Sequence, residues 1–197
     1  MEPWLEWVRR LQAIADTGLA YASNPYDLAR YEEVRVLAGE VAGQGRGLDP
    51  HGAGHPTPKV DVRGAVFAAA RVLLVREVAD GGWTLPGGWA DIGEPPSRAV
   101  AREVREEAGV AVRPVKLVAV HDRDLRNHPA HIHHIYKLIF ECERVDDRRD
   151  ATDGEVDAVG WFALADLPQL STGRTSVHQL ERAFAHRAEP GLPTEFD

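Results

Sequence analysis

A glycine- and proline-rich segment at residues 43–59 divides the chain into two parts of different character. It reads GQGRGLDPHGAGHPTPK and contains five glycines and three prolines in seventeen residues. Neither a helix nor a strand tolerates that density of residues that interrupt regular structure, so we interpret this segment as a linker. We therefore expect two folded parts, residues 1–42 and residues 60–197, joined by the linker of residues 43–59.

Residues 1–42 are expected to form a hairpin of two amphipathic helices. Apolar residues recur at helical spacing in both halves: Trp4, Trp7, Val8, Leu11, Ile14 and Ala15, then Leu28, Tyr31, Val34, Leu37 and Val41. Between the two halves, Asn24 can cap the second helix and Pro25 can occupy its first position. Two amphipathic helices must bury their apolar stripes against a partner surface, and the long linker allows that partner to be the same chain or a second copy.

Residues 60–197 show a mixed α/β pattern. Segments rich in β-branched and aromatic residues predict five strands, at 60–69, 71–78, 115–124, 131–145 and 155–164. Helical spacing occurs within 88–110 and at 176–188. Alternating strands and helices of this kind are typical of an α/β domain.

Composition excludes several classes of protein. The 197 residues are 44% hydrophobic and 27% charged, as in an ordinary soluble globular protein, and the single cysteine, Cys142, excludes an internal disulfide framework. The sequence contains neither a signal-peptide pattern at its start nor an apolar run that could span a bilayer. A formal net charge of -8 argues against a broad grip on nucleic acid. We therefore expect a cytoplasmic protein without membrane or nucleic-acid partners.

The segment from Gly88 to Val110 concentrates carboxylates on one helical face. A helix places Glu103, Glu106 and Glu107 within one turn, where three like charges repel each other unless a cation joins them. Taken alone, an acidic helix with interspersed arginines is common on protein surfaces. The preceding LPGGW and Glu94 favour a site instead, because a strand, a glycine loop and a carboxylate-bearing helix can hold a metal-bound phosphate.

The spacing in this segment resembles the Nudix box at every specified position. The matching residues are Gly88, Glu94, Arg102-Glu103-Val104, Glu106-Glu107 and Gly109-Val110. LPGGW before the box and GWFALADLP after it also resemble Nudix proteins, and the resemblance covers about residues 60–188. The amino-terminal hairpin and DRDLRNHPAHIHHIYK resemble the subgroup that acts on nucleoside diphosphate derivatives such as CDP-choline and ADP-ribose.

This resemblance implies a fold and an activity. The fold is an α/β/α sandwich around a mixed sheet, spanning residues 60–197 and preceded by the helical hairpin. The activity is metal-dependent hydrolysis of the pyrophosphate bond of a nucleoside diphosphate linked to another moiety, by attack of water on phosphorus. The implied cofactor is Mg²⁺ or Mn²⁺, and the implied partners are a small nucleotide substrate and a second copy of the chain, paired through the hairpin.

The resemblance also implies roles for the box residues. The metal ligands are expected among Glu103, Glu106, Glu107, Glu94 and Gly88. Glu106 is further expected to act in catalysis, although a carboxylate on a metal is a weak base.

Two further residues are expected to act in catalysis. Glu155 in TDGEV is the candidate for an outer carboxylate that shares the activation of water, with a simple loop charge as the alternative. Arg102 is expected to hold a box carboxylate in place by a bidentate pair.

Candidate substrate-binding residues lie outside the carboxylate helix. Arg63 and Arg76 on the first two predicted strands suit phosphate, with a rim salt bridge as the alternative for Arg76. Trp89 is a candidate for stacking on a base, with core packing as its alternative. His128 and Lys137 belong to the segment that resembles the substrate loop of the subgroup, and zinc is disfavoured there because no paired cysteines accompany the histidines.

Two other functions stay open on the sequence. An RNA-end pyrophosphohydrolase or nuclease uses the same phosphorus chemistry, and the acidic balance argues against it. A catalytically silent nucleotide-sensing module is the other alternative, and the complete set of box carboxylates argues against that.

Overall fold

The computed structural model describes residues 3–42, 56–91, 93–149 and 154–197. Most of the predicted linker, residues 43–55, lies outside the described residues. The chain divides into two compact units: Met1–Pro58 with Ala130–His134, and Lys59–Pro129 with Ile135–Asp197. Within the described ranges, no helix is both long enough and apolar enough to cross a bilayer.

The first unit contains the predicted helical hairpin, formed by α1 (Pro3–Tyr21) and α2 (Pro25–Val41). The turn has the predicted chemistry, because the Asn24 side chain accepts a hydrogen bond from the Tyr26 N–H at 2.8 Å and Pro25 begins the helix. The predicted apolar stripes are incompletely buried. Trp7 is 61% exposed and Val41 is 60% exposed, so an apolar surface remains on the hairpin.

A guanidinium on α1 holds the segment Ala130–His134 in the same unit. Arg9 donates to the carbonyls of Ile132 at 3.0 Å and His133 at 3.1 Å, and also to that of His131. The prediction of a strand from residue 131 is therefore wrong at its start, because successive carbonyls of this segment accept from one side chain and not from a neighbouring strand. The strand begins at Ile135.

The described residues of the second unit form a seven-stranded mixed sheet with two α-helices. Its strands are β1 (Lys59–Ala68), β2 (Arg71–Glu77), β3 (Trp83–Thr84), β4 (Val110–Asp122), β5 (Ile135–Arg149), β6 (Val156–Phe162) and β7 (Glu195–Phe196). The helices are α3 (Pro96–Ala108) and α4 (Val177–Ala188). The strand order is β3-β2-β1-β5-β4-β7, and β6 pairs with β2 outside that path. The β1/β5 and β4/β7 pairs are parallel and the others are antiparallel.

The alternation of side chains along the strands builds one core on each face of the sheet. On one face, Val62, Leu73 and Val75 pack with Ala99, Val100 and Val104 of α3. On the other face, Ala65, Val72 and Leu74 pack with Leu180 and Ala183 of α4. A Cβ on Gly64 would lie 2.6 Å from a methyl carbon of Val104, so glycine there lets α3 approach β1 closely. The predicted α/β/α sandwich is confirmed.

Candidate active site

The loop that precedes α3 lies directly along β1. Its backbone pairs with that strand as follows: Val62 N–H to Gly88 O at 2.8 Å, Gly64 N–H to Pro86 O at 2.9 Å, and Ala90 N–H to Val60 O at 3.0 Å. Gly87 has a φ of 144°, and a Cβ on it would lie 2.0 Å from the Val62 carbonyl oxygen. A side chain at Gly87 therefore does not fit, which fixes glycine at this point of the loop.

Three box carboxylates of α3 converge on this glycine loop. Glu107 is 5% exposed, and its Oε2 accepts a hydrogen bond from the Gly87 N–H at 2.8 Å. Glu103 lies over Gly88, since a Cβ there would be 2.9 Å from the Glu103 Oε2 atom. Glu106 is the most open of the three, with 47% of its side chain exposed. The exposure of these carboxylates thus increases from Glu107, which contacts the glycine loop, to Glu106, which faces solvent.

Arg102 joins three carboxylates with one guanidinium. Its Nη1 donates to Glu103 at 2.9 Å and to Glu106 at 2.9 Å, while Nη2 donates to Glu94 at 3.0 Å. Asp91 lies 3.6 Å from the same guanidinium, and Glu107 lies beside Glu103 with Arg63 as its positive neighbour, so the carboxylates outnumber the two guanidinium groups. Such a group has unsatisfied affinity for a cation, and its hard oxygen donors suit a divalent ion such as Mg²⁺ or Mn²⁺.

Burial sets the charge state of the two inner carboxyl groups. It raises the pKa of Glu107 to about 8, against the opposing effects of Arg63 and the Gly87 N–H, and it also raises the pKa of Glu103. A cation that binds these groups stabilises their ionised forms, so cation binding is coupled to proton release.

Two family profiles match the chain. One is described as "NUDIX domain" and matches residues 57–183, and the other, "UDP-X-like, N-terminal oligomerisation domain", matches residues 2–52. The chain belongs to the Nudix family. Nudix hydrolases generally need divalent metal ions, and the carboxylates around the glycine loop are donors of the type those ions require.

Named Nudix relatives resemble the chain over most of its length. The "Putative ADP-ribose pyrophosphatase YjhB" of Bacillus subtilis is 38% identical over 98% of this chain and 97% of its own. An ADP-ribose pyrophosphatase from Streptococcus suis has a TM-score of 0.66 at 35% identity, covering 72% of this chain and 100% of its own. A structure titled "UDP-X diphosphatase" has a TM-score of 0.66 at 28% identity, covering 98% of both chains. The chain is therefore a Nudix pyrophosphohydrolase.

Next to the glycine loop, two of the predicted substrate-binding residues share a buried carboxylate. Arg63 donates to both oxygens of Asp61, at 2.9 and 2.7 Å, and Lys137 donates to the same side chain at 2.8 Å. Burial opposes ionisation of Asp61, but Arg63 and Lys137 outweigh it and lower its pKa to about 2. Burial lowers the pKa of Lys137 to about 8. Asp61 carried no predicted role, although strand alternation places Asp61 and Arg63 on one face.

The predicted residues at the rim have polar partners. Arg76 forms a bidentate pair with Asp157 at 2.7 and 3.0 Å, both side chains being exposed. Trp89 is 45% exposed, with the Lys59 ammonium 5.9 Å from its ring centroid. Glu155 is exposed, and its backbone carbonyl accepts from the Val78 N–H at 3.1 Å.

His128 has a hydrogen bond at each ring nitrogen. Its Nδ1 lies 2.6 Å from the Thr172 carbonyl oxygen, and its Nε2 lies 3.2 Å from the Gln179 amide nitrogen. A carbonyl accepts and an amide N–H donates, so we assign the neutral tautomer with the proton on Nδ1. Burial favours the same neutral form and lowers the pKa of His128 to about 4. These contacts tie the loop to the start of α4.

A second group of potential metal ligands lies at the carboxyl-terminal strand. His121 and His178 place their Nε2 atoms 3.0 and 2.8 Å from one oxygen of Glu195. Arg182 lies 2.6 Å from the other oxygen and Arg126 lies 3.5 Å from the first. Two guanidinium groups already neutralise this carboxylate and repel a cation. We therefore describe these residues as a group of hydrogen bonds and ion pairs that holds Glu195 of β7 in place.

Proposed function

We propose that the chain hydrolyses the pyrophosphate bond of a nucleoside diphosphate linked to another moiety, using Mg²⁺ or Mn²⁺ held at the Nudix box. One observation carries this proposal: Glu107 and Glu103 lie against the glycine loop, and Arg102 joins Glu103 to Glu94 and Glu106, so four carboxylates are gathered at one end of α3. The full set of Nudix carboxylates argues for catalysis and against a silent nucleotide-sensing module.

Glu103, Glu106 and Glu107 are proposed to hold the metal, with Glu94 and the Gly88 carbonyl as further candidates. The Gly88 carbonyl already accepts from the Val62 N–H, but a carbonyl oxygen has a second lone pair. When bound, a divalent cation neutralises phosphate charge and acidifies water.

The residues of the chain then orient groups and move protons. Glu106 is the box carboxylate most open to solvent, so we propose that it accepts a proton from the attacking water. Glu155 is proposed as the outer carboxylate that shares this role, because it is exposed and its charge reaches Glu77, whose pKa is raised chiefly by burial and further by Glu155. Arg102 is proposed to fix the directions of Glu94, Glu103 and Glu106 through its hydrogen bonds.

Substrate contacts are proposed for the five residues that the sequence singled out. Trp89 and Arg76 are exposed and can reach a ligand from solvent. Arg63, Lys137 and His128 would each have to share or exchange a partner that they already hold: Asp61 for the two cations, and Thr172 with Gln179 for the histidine.

ADP-ribose and UDP-linked compounds are the proposed substrates to examine first, with CDP-choline as the third. The relatives that match over most of the chain are named for ADP-ribose and for UDP-X. Against an RNA substrate, the formal net charge of -8 disfavours a polyanion.

The experiment is to incubate the full chain and Mg²⁺ with these three compounds and with a triphosphate-ended RNA, and to identify products by mass. We expect a nucleoside monophosphate and a second phosphate monoester from at least one small compound. Turnover of the RNA alone, with strong salt dependence, would contradict the proposal in favour of the RNA-end alternative. Tight nucleotide binding without turnover would favour the sensing module.

We further propose that the hairpin of residues 1–42, joined by the linker 43–59 to the Nudix domain of residues 60–197, forms the interface of a homodimer. Large apolar side chains stay exposed on both helices: Trp4, Trp7, Ile14, Tyr21, Tyr26, Leu37 and Val41. An exposed apolar surface of this kind marks an interaction site. The amino-terminal profile, described as an oligomerisation domain, supports the same assignment.

A further inference from the structure

Two buried threonines hold the residue that begins the glycine loop. Thr84 and Thr175 are both fully buried, and their hydroxyl oxygens lie 2.7 Å apart. Thr175 Oγ1 accepts from the Leu85 N–H at 3.1 Å, and the Thr84 hydroxyl donates to the Leu85 carbonyl at 3.1 Å.

We assign the protons of this group from its hydrogen-bond pattern. Because the Thr84 hydroxyl donates to the Leu85 carbonyl, the Thr175 hydroxyl must be the donor between the two threonines. Leu85 N–H, Thr175 O–H and Thr84 O–H then form a closed ring of three hydrogen bonds, each donating to the next. Arg63 adds a fourth bond, from Nη1 to the Leu85 carbonyl at 3.2 Å. Both polar groups of the Leu85 backbone are thereby fixed by side chains.

The ring lies two residues before the hydrogen bond that holds a box carboxylate. Leu85 is followed by Pro86, whose fixed φ limits the freedom of the chain, and then by Gly87, whose N–H donates to Glu107 at 2.8 Å. That N–H belongs to the same peptide unit as the Pro86 carbonyl, which accepts from the Gly64 N–H at 2.9 Å, so β1 and the bonds to Leu85 together set its direction.

The segment that carries Thr175 is itself anchored. The Thr175 N–H donates to the Ser171 carbonyl at 2.9 Å, and the Ser171 N–H donates to the Trp83 carbonyl at 2.8 Å. Next to Thr175, Arg174 pairs with buried Glu77 of β2 at 2.9 Å. The position of Thr175 is thus fixed by its own segment, so its hydrogen bonds restrain the glycine loop at Leu85.

We propose that Thr175 is a positioning residue for the Nudix metal site, acting through Leu85 and Gly87 on Glu107. It touches neither the metal nor the substrate. Its hydroxyl fixes Leu85 at the start of the loop and so, together with the pairing to β1, sets the position of the Gly87 N–H that holds the Glu107 carboxylate. The inference rests on the proposed function in one respect, the role of Glu107 as a metal ligand.

The test compares T175V, T175S and T194V. Thr194 also donates one hydroxyl hydrogen bond, to the Leu117 carbonyl at 2.8 Å, so T194V is the matched loss of a threonine hydroxyl. Three measurements apply to each variant: amide hydrogen exchange of Leu85, Gly87 and Gly88, direct Mn²⁺ binding without substrate, and kcat. The first two need no turnover, so they stand even if every hydrolysis assay fails.

We expect T175V to speed amide exchange at Leu85, Gly87 and Gly88 and to weaken Mn²⁺ binding about tenfold, the effect of leaving one buried donor unsatisfied. T175S should restore both, and T194V should change neither. Mn²⁺ affinity of T175V equal to that of T194V would overturn the proposal, as would a failure of T175S to restore binding. If T175V does not fold, T84V decides, because it removes the other hydroxyl of the ring; unchanged Mn²⁺ binding there overturns the proposal.

Discussion

Replacing Glu106 by glutamine separates the catalytic role of the box from its role in the fold. The side chain is 47% exposed, and its hydrogen bond to Arg102 at 2.9 Å is an ion pair between partly exposed groups. Such pairs contribute about 0–1 kcal/mol to stability. Arg102 also keeps Glu94 and Glu103 as partners, so no buried charge is left unpaired. We expect the free energy of unfolding of E106Q to lie within about 1 kcal/mol of that of the parent.

Activity should respond very differently. Glutamine has nearly the same size but lacks the charge that binds a hard cation and accepts a proton, so we expect kcat to fall about 10²-fold, equivalent to about 2.7 kcal/mol. The matched control is E143Q, because Glu143 is 49% exposed and pairs with Arg113 at 2.7 Å across strands β4 and β5, outside the box carboxylates. The assays are Mg²⁺-dependent turnover and thermal unfolding. Near-normal turnover in E106Q, or an equal loss in E143Q, would refute the reasoning.

Three further predictions address residues outside the core of the site. E155Q should lower turnover by less than E106Q does; a pH profile of kcat that matches the parent would return Glu155 to a simple loop charge. The full chain should run as a dimer in light scattering, and removal of residues 1–58 should give a monomeric or poorly soluble domain with weaker substrate affinity. A monodisperse full-length monomer would exclude the dimer. His128 should stabilise the fold above about pH 6.5 and lose that contribution as the pH falls through 4, because its pKa is lowered on folding. Unfolding free energies of the parent and H128N across this range measure the effect, and parallel curves would contradict it.

The layers of the fold could be predicted because local patterns agree with the tertiary structure. Alternating apolar residues such as Val72, Leu73 and Leu74 supply both faces of the sheet, which is why β2 could be read directly. The carboxylates of α3 could be placed because helical spacing alone puts them on one face. Both signals need no knowledge of distant contacts.

Contacts between distant residues could not be predicted. Nothing in the sequence links Arg9 with the carbonyls of residues 131–133, more than 120 positions away. Because these carbonyls accept from Arg9, β5 begins at Ile135 and not at residue 131, where the sequence predicted it. Strands β3 and β7 have two residues each, too few to show a period. Thr175 carries no pattern at all, because its role comes from meeting Leu85 across 90 positions.

The most direct test of the central claim is hydrolysis in water enriched in ¹⁸O. The full chain is incubated with Mg²⁺ and the best substrate of the panel, and both products are analysed by mass. Attack of water on phosphorus predicts one ¹⁸O atom in the phosphate group of one product, none in the other, and no reaction after chelation of the metal. Products that carry no label in a phosphate group, or cleavage that continues with the metal removed, would contradict the account.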